Sequence, residues 1–293
     1  MKIAIPALAL VAVCLVPSIS SAQAKPTDVY VSAVDGKGEP ARGLTAEDFR
    51  VREDGIAREV LKAGPATGPL TVALLVDDTQ AASSGVLMIR EAVQNLLTAL
   101  DGKAEISIVT FGERPTIAVD YTTDSKKLLD GANRIFPRSG AGGYLMDAIV
   151  EVSKGMQKRK PKRPVIVVLM IEEGVEFSNR HYDNVLGELD KGGAALHVVA
   201  IGQPNSSLTD EIRNRNQVIA EGTQRTGGRR DQVLALTAAP AKMSQLANEL
   251  LTQYVVTYSR PDTLIPPEKI EVTVTRPGLT ARARTRTGQV GSR

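Results

Sequence analysis

Three unbroken apolar runs constrain this chain more than any other feature: LTVALLV at 70–76, PVIVVLMI at 164–171 and ALHVVAIG at 195–202. Continuous apolar character is expected of a parallel strand covered on both faces. AEISIVTF at 104–111 is a further strand, and TIAVDY at 116–121, following a turn at Pro115, is a short one expected to run antiparallel. Helical patterns lie between them. After the first strand, Val86, Ile89, Val93, Leu96, Leu97 and Leu100 recur with a 3.6-residue period. Other helices are predicted to start near Ser125 and Leu145, and one from about Arg180 to Lys191 stops at Gly192-Gly193. Repeated strand–helix units imply a doubly wound, mostly parallel α/β sheet with right-handed crossovers, over 67–253. Ligand sites in such sheets lie at the carboxyl ends of the strands.

The flanks, 25–66 and 254–293, read as β. DVYVSAVD precedes a turn at GKGEP, and LTAEDF reads as one helical turn with Thr45 as cap and Asp48 three residues on. Two alternating runs then surround Asp54-Gly55, a hairpin dipeptide because both turn positions need positive φ. AGPATGP at 63–69 reads as a linker, and KIEVTVTRPGLTARART as a hairpin turning at Pro277-Gly278. A lone hairpin is marginal in water, so the two ends are expected to combine into one small β module.

Residues 1–24 have the order of a cleavable signal peptide: one Lys, a short apolar stretch, then Ala-Gln-Ala. Cleavage is expected after Ala24, leaving a secreted or periplasmic protein with no further span. Cys14 is the only cysteine and falls inside that segment, so the mature chain has no thiol, disulfide or Cys-based metal site. The whole chain carries +3, and losing Lys2 leaves +2, a balance that points to no nucleic acid or other polyanion. Trp is absent and aromatics are scarce, which counts against base stacking.

The first buried strand ends in Asp77-Asp78-Thr79 and the fourth in Glu172-Glu173-Gly174. With strand order 3-2-1-4-5 these ends are neighbours at the switch point, and four carboxylates would crowd one crevice. They repel unless a cation, an Arg or a proton intervenes. In the simpler alternative Asp78 and Glu172 face solvent, and only Asp77 and Glu173 face the crevice, capping amides.

This arrangement resembles the von Willebrand factor type A domain, and VDGKGEPARGLTAEDFRVREDG, LANELLTQYVVTYS and IEVTVTRPGLTARART are similar to flanking segments of a family of secreted bacterial proteins called VWFA-related. The resemblance implies a Rossmann-like fold and a metal ion-dependent adhesion site. Residue by residue, Asp77 matches the first Asp and Thr79 replaces the first Ser. Ala81 stands where the second Ser would be, Gly143 of GAGGYLMDAIV takes the place of a Thr, and Glu173 that of the final Asp. Asp77, Thr79 and Glu173 are thus the candidate ligands for Mg²⁺ or Mn²⁺ in a degenerate site. In the family such a cation is completed by a partner's carboxylate. The reading preferred here is protein–protein interaction through a rim of Asp77, Asp78, Thr79, Gly143 and Glu173 without a required cation. A cation-dependent adhesion module is the main alternative, and a secreted hydrolase is the alternative from a different class.

The hydrolase reading has few residues to rest on, since neither histidine has an obvious nucleophile beside it. The phosphatase Asp-x-Asp spacing is absent, and no nucleophile elbow, P-loop or dinucleotide fingerprint occurs. His197, inside an apolar strand, reads as a satisfied core group, and His181 starts a helix. KRKPKRP at 158–164 reads as a solvated loop at a helix end. Arg282, Arg284 and Arg286 share one strand face, where charge guards an edge against pairing.

Overall fold

A computed structural model of the chain describes residues 24–207, 209–261 and 265–286. The expected signal segment and Cys14 lie outside the described residues, apart from Ala24, where the first strand begins.

The N-terminal flank gives β1 (Ala24–Asp35), β2 (Phe49–Glu53), β3 (Ile56–Arg58) and β4 (Val60–Pro65). The central region follows as β5 (Leu70–Val76), α1 (Val86–Ala99), β6 (Ala104–Thr110), β7 (Thr116–Thr122), α2 (Ser125–Asn133), α3 (Leu145–Arg159), β8 (Arg163–Ile171) and α4 (Tyr182–Gly192). Then come β9 (Ala195–Ile201), α5 (Asp210–Thr226), β10 (Arg230–Val233) and α6 (Ala239–Leu251). The chain returns to the flank with β11 (Tyr254–Pro261), β12 (Ile270–Val274) and β13 (Leu279–Ala283).

Six strands form the central sheet in the order β10-β9-β8-β5-β6-β7, parallel except for β7. β5 and β8, the first and fourth strands of the domain, are neighbours in register from Leu70↔Arg163 to Val76↔Leu169, so their acidic ends meet as expected. β5 is buried along its whole length because helices cover both faces. On one face Leu74 and Val76 pack with Ile89, Val93 and Leu96 of α1 and with Leu246 and Leu250 of α6. On the other, Ala73 and Leu75 pack with Ile149 of α3, Leu189 of α4 and Ile219 of α5.

The flanks build two antiparallel sheets, β13-β1-β11-β4 and β12-β2-β3. Phe49, Val51, Val256 and Tyr258 fill the core between them. Because β4, which leads into β5, pairs with β11, which follows α6, the entry and exit of the α/β domain are tied side by side. Asp54 (φ 49°) and Gly55 (φ 80°) make the β2–β3 turn.

Two local expectations change. β4 runs through Gly64 and Pro65, so half of the expected linker is an edge strand, where a proline costs no ladder bond. The segment around Pro277-Gly278 is a corner and not a hairpin, since β12 pairs with β2 while β13 pairs with β1.

Candidate functional site

The loops after β5, β6, β8 and β9 converge at the carboxyl end of the sheet, where Asp77, Asp78, Glu172 and Glu176 are buried while Glu113 and Glu173 are exposed. Asp77 is 3% exposed; its Oδ1 accepts from the Thr79 amide at 2.9 Å and its Oδ2 from the Ile171 amide at 2.9 Å. Burial pushes its carboxyl above the usual range, and the Thr79 hydroxyl and the amides of Ile171 and Thr79 pull it back in part. Asp78, also buried, accepts from the Gly112 amide at 2.6 Å and from Arg138 Nε at 2.9 Å. A Cβ on Gly112 would come within 2.7 Å of that Asp78 oxygen, so this close approach requires glycine.

Glu172 is fully buried between two arginines: Arg215 of α5 donates to it at 3.3 Å and Arg230 of β10 at 2.5 Å. Arg215 is 2% exposed and also donates to the carbonyls of Gly174 (3.1 Å) and Glu172 (3.3 Å). Burial lowers its pKa, opposed by the charges of Glu172, Glu176 and Asp77. Glu176 lies beneath the same loop, accepting from the Ser178 amide, and burial raises its carboxyl to about 7.

These placements reverse the simpler alternative. Glu172, not Glu173, points inward, and Asp78 is buried rather than solvated. Glu173 is exposed, with its carboxylate on the Gln203 amide at 3.3 Å and against Gly202, whose lack of a Cβ leaves room for it. Gly143 is buried too. Its amide donates to Val175 O and its carbonyl accepts from Phe177, so it shapes the loop from within rather than lining a surface.

Do these groups suit a cation? Thr79 Oγ1 is buried beside the Asp77 carboxylate, which favours one. Against it, both Asp77 oxygens hold amides, Ala81 and Gly143 offer no side-chain oxygen, and Glu173 turns to Gln203. Among the described residues no group of three or more His, Cys, Asp or Glu could hold a metal ion. The arrangement does not provide the octahedral oxygen set Mg²⁺ requires.

Large apolar side chains stand around this end. Val175 (55% exposed) and Phe177 (51%) project from the loop after β8, and Phe177 packs against Tyr144 with ring centroids 6.1 Å apart. A Cβ on Gly142 would collide with the Phe177 ring. Phe136, in the loop before α3, is covered on one side by Arg90 at 4.0 Å.

A fold of this kind, with its crossing point at β5 and β8, can be compared with known proteins. Residues 72–172 match the family model of the von Willebrand factor type A domain. The chain carries a von Willebrand factor type A domain. Among solved structures, a von Willebrand factor type A protein from Catenulispora acidiphila aligns over 91% of this chain and 72% of its own, with TM-score 0.51 and 9% identity. The conserved hypothetical protein BatB from Bacteroides thetaiotaomicron aligns over 62% of this chain and 98% of its own, with TM-score 0.47 and 14% identity. The VWA domain of SpRpn10 aligns over 60% and 97%, with TM-score 0.44 and 14% identity. At 9% identity the likeness to the Catenulispora acidiphila protein speaks for the fold alone. No curated protein sequence matches the chain.

Elsewhere the basic residues differ from expectation. Arg163 of KRKPKRP is buried, holding the carbonyls of Ala66, Gly68 and Leu250. Arg282 pairs with the buried Glu249 at 2.6 Å, and Arg284 donates to the carbonyls of Asp190 and Ala194, so β13 is fastened to the α/β domain rather than guarding an edge. His197 is fully buried, yet neither ring nitrogen has a partner.

Proposed function

We propose that this protein is a non-enzymatic interaction module whose von Willebrand type A domain engages a protein partner through its carboxyl-end rim, without a bridging cation. One observation carries the reading: the acidic ends of β5 and β8 are already neutralised from within, Asp77 by amides, Asp78 by Arg138 and Glu172 by Arg215 and Arg230. A rim so satisfied has little to gain from a metal, and Val175 and Phe177 supply desolvatable surface beside it. Affinity purification from the producing cells is expected to recover the same partner with EDTA as with millimolar Mg²⁺ or Mn²⁺, and to lose it in the Val175→Asp/Phe177→Asp variant. A partner retained only with the cation, and lost on Asp77→Ala, would instead establish the cation-dependent alternative.

The composition of the segment at 1–24 supports export, as does the resemblance of the flanks to those of VWFA-related secreted bacterial proteins. The mature species is expected to begin at Lys25 by intact mass, in the periplasm or the medium. A cytosolic protein retaining residues 1–24 would contradict export.

A further inference from the structure

The opposite, amino-terminal end of the central sheet carries a groove that the rim does not use. It has a volume of about 1090 Å³ and runs between the 66–71 segment entering β5, the 102–105 turn entering β6 and the 159–163 segment entering β8. Lys103, Lys160 and Lys162 line it, all exposed, and none has a carboxylate within ion-pair distance among the described residues. The one acidic residue in the lining, Glu105, is already taken by Arg159, which donates to both of its oxygens at 2.9 Å. The groove therefore holds uncompensated positive charge in a chain whose net charge is only +3.

Lys160 provides a second, independent sign. It caps α3 in the left-handed region (φ 49°, ψ 49°), one of three described non-glycine residues with positive φ. Glycine is the unstrained choice at such a C-cap, and a β-carbon there costs stability. A lysine kept in a glycine's conformation, with its ammonium free over a groove, fits a residue held for what it binds rather than for the fold.

We propose that this groove is a second docking surface and takes an acidic peptide segment of a partner protein. The exposed hydroxyls of Thr67 and Thr123 and the backbone at Gly68 and Gly102 offer the hydrogen bonding a peptide needs. No aromatic side chain lines it for stacking on bases, and its concave shape suits a chain better than a flat membrane. Together with the rim at the other pole, it would allow two partners to be held at once.

Fluorescence anisotropy of a labelled hexa-glutamate peptide with the full chain tests this. Saturable binding is expected in 50 mM salt, weaker by about tenfold or more in 300 mM salt because the contacts are solvent-exposed. Lys160→Gly should weaken binding by about fivefold while the melting temperature stays level or rises by about 2 °C, as relief of left-handed strain requires. The Lys103→Gln/Lys162→Gln variant should weaken it comparably. Equal binding of hexa-glutamine, wild-type affinity in both variants, or lysine-dependent binding to phosphatidylglycerol vesicles in place of the peptide would each overturn the proposal.

Discussion

Arg215→Leu is expected to destabilise the protein by about 3–5 kcal/mol in urea unfolding, the range for removing one partner of a buried ion pair. The guanidinium is the interior charge under the rim. Without it the fully buried Glu172 keeps only Arg230 and the Asn205 amide, the carbonyls of Glu172 and Gly174 lose a donor, and Glu176 and Asp77 lose a neutralising neighbour. Arg230→Leu is expected to cost much less, about 1 kcal/mol, because Arg230 is 29% exposed and water can replace part of its contact. The Arg215→Leu/Glu172→Leu double variant should recover much of the loss, since exchanging a whole buried pair for apolar groups is often neutral. A cost below about 1 kcal/mol for Arg215→Leu would show that Glu172 is held by Arg230 and amides alone. The functional consequence is local. Arg215 holds Gly174 O, one residue before Val175, so loosening it should disorder the apolar edge of the rim before the sheet unfolds.

The crowding of carboxylates at the switch point was legible from the sequence, because strand order follows from the pattern of apolar runs and helices. What neutralises them was only partly so. An arginine was one of the expected solutions, but which arginine depends on the periodicity of α5. Ile212, Arg215, Val218, Ile219 and Gly222 form its buried stripe, so Arg215 sits where an apolar residue belongs. That position was the available signal, and the polar look of NRNQ around it hid the stripe. Arg138 and Arg230 give no such signal, since one lies in an irregular loop and the other on an edge strand. The orientations of Glu172 and Glu173 turn on one residue of alternation at the end of β8, where the chain leaves the strand and period-two reasoning no longer applies.

The fold was read more completely than its edges. β5, β6, β8 and β9 are long enough and buried enough for composition to decide them. β10 was missed because Arg-Asp-Gln-Val carries almost no apolar signal; as an edge strand it buries only Val233. The role of β13 also escaped, since docking against α6 is a tertiary matter. Three arginines on one strand face suggested solvent, whereas Arg282 lies on Glu249 and Arg284 beneath the 190–194 segment.

That docking makes a second prediction, on pH. His197 of β9 is fully buried, with Glu249 of α6, Arg229 and Asp231 beside and on β10, and Arg282 of β13 acting on it; Lys242 of α6 in turn pairs with Asp231. Burial, reinforced by Arg282 and Arg229 against Glu249 and Asp231, lowers the imidazole pKa to about 4. In the unfolded chain it titrates near 6.5, so between these values the unfolded state binds the proton and the folded state does not. Stability from this group is thus complete above pH 6.5 and is lost as the pH falls towards 4, by up to about 3 kcal/mol at 1.36 kcal/mol per unit. Glu176, raised from 4.5 to about 7, has the opposite sign over most of this window, gaining stability as the pH falls from about 7 towards 4.5. It is common to both proteins when wild type and His197→Leu are compared by urea unfolding at pH 7 and pH 4, so the difference isolates the histidine. The variant is expected to lose about 3 kcal/mol less than wild type over that interval. It should be no less stable at pH 7, because leucine removes two ring nitrogens that have no partner. Equal losses in the two proteins would mean that His197 takes up its proton in the folded state without penalty, with Glu249 as its counter-charge. The junction between α6 and β13 would then tolerate acid to which a neutral, unpaired imidazole should make it yield.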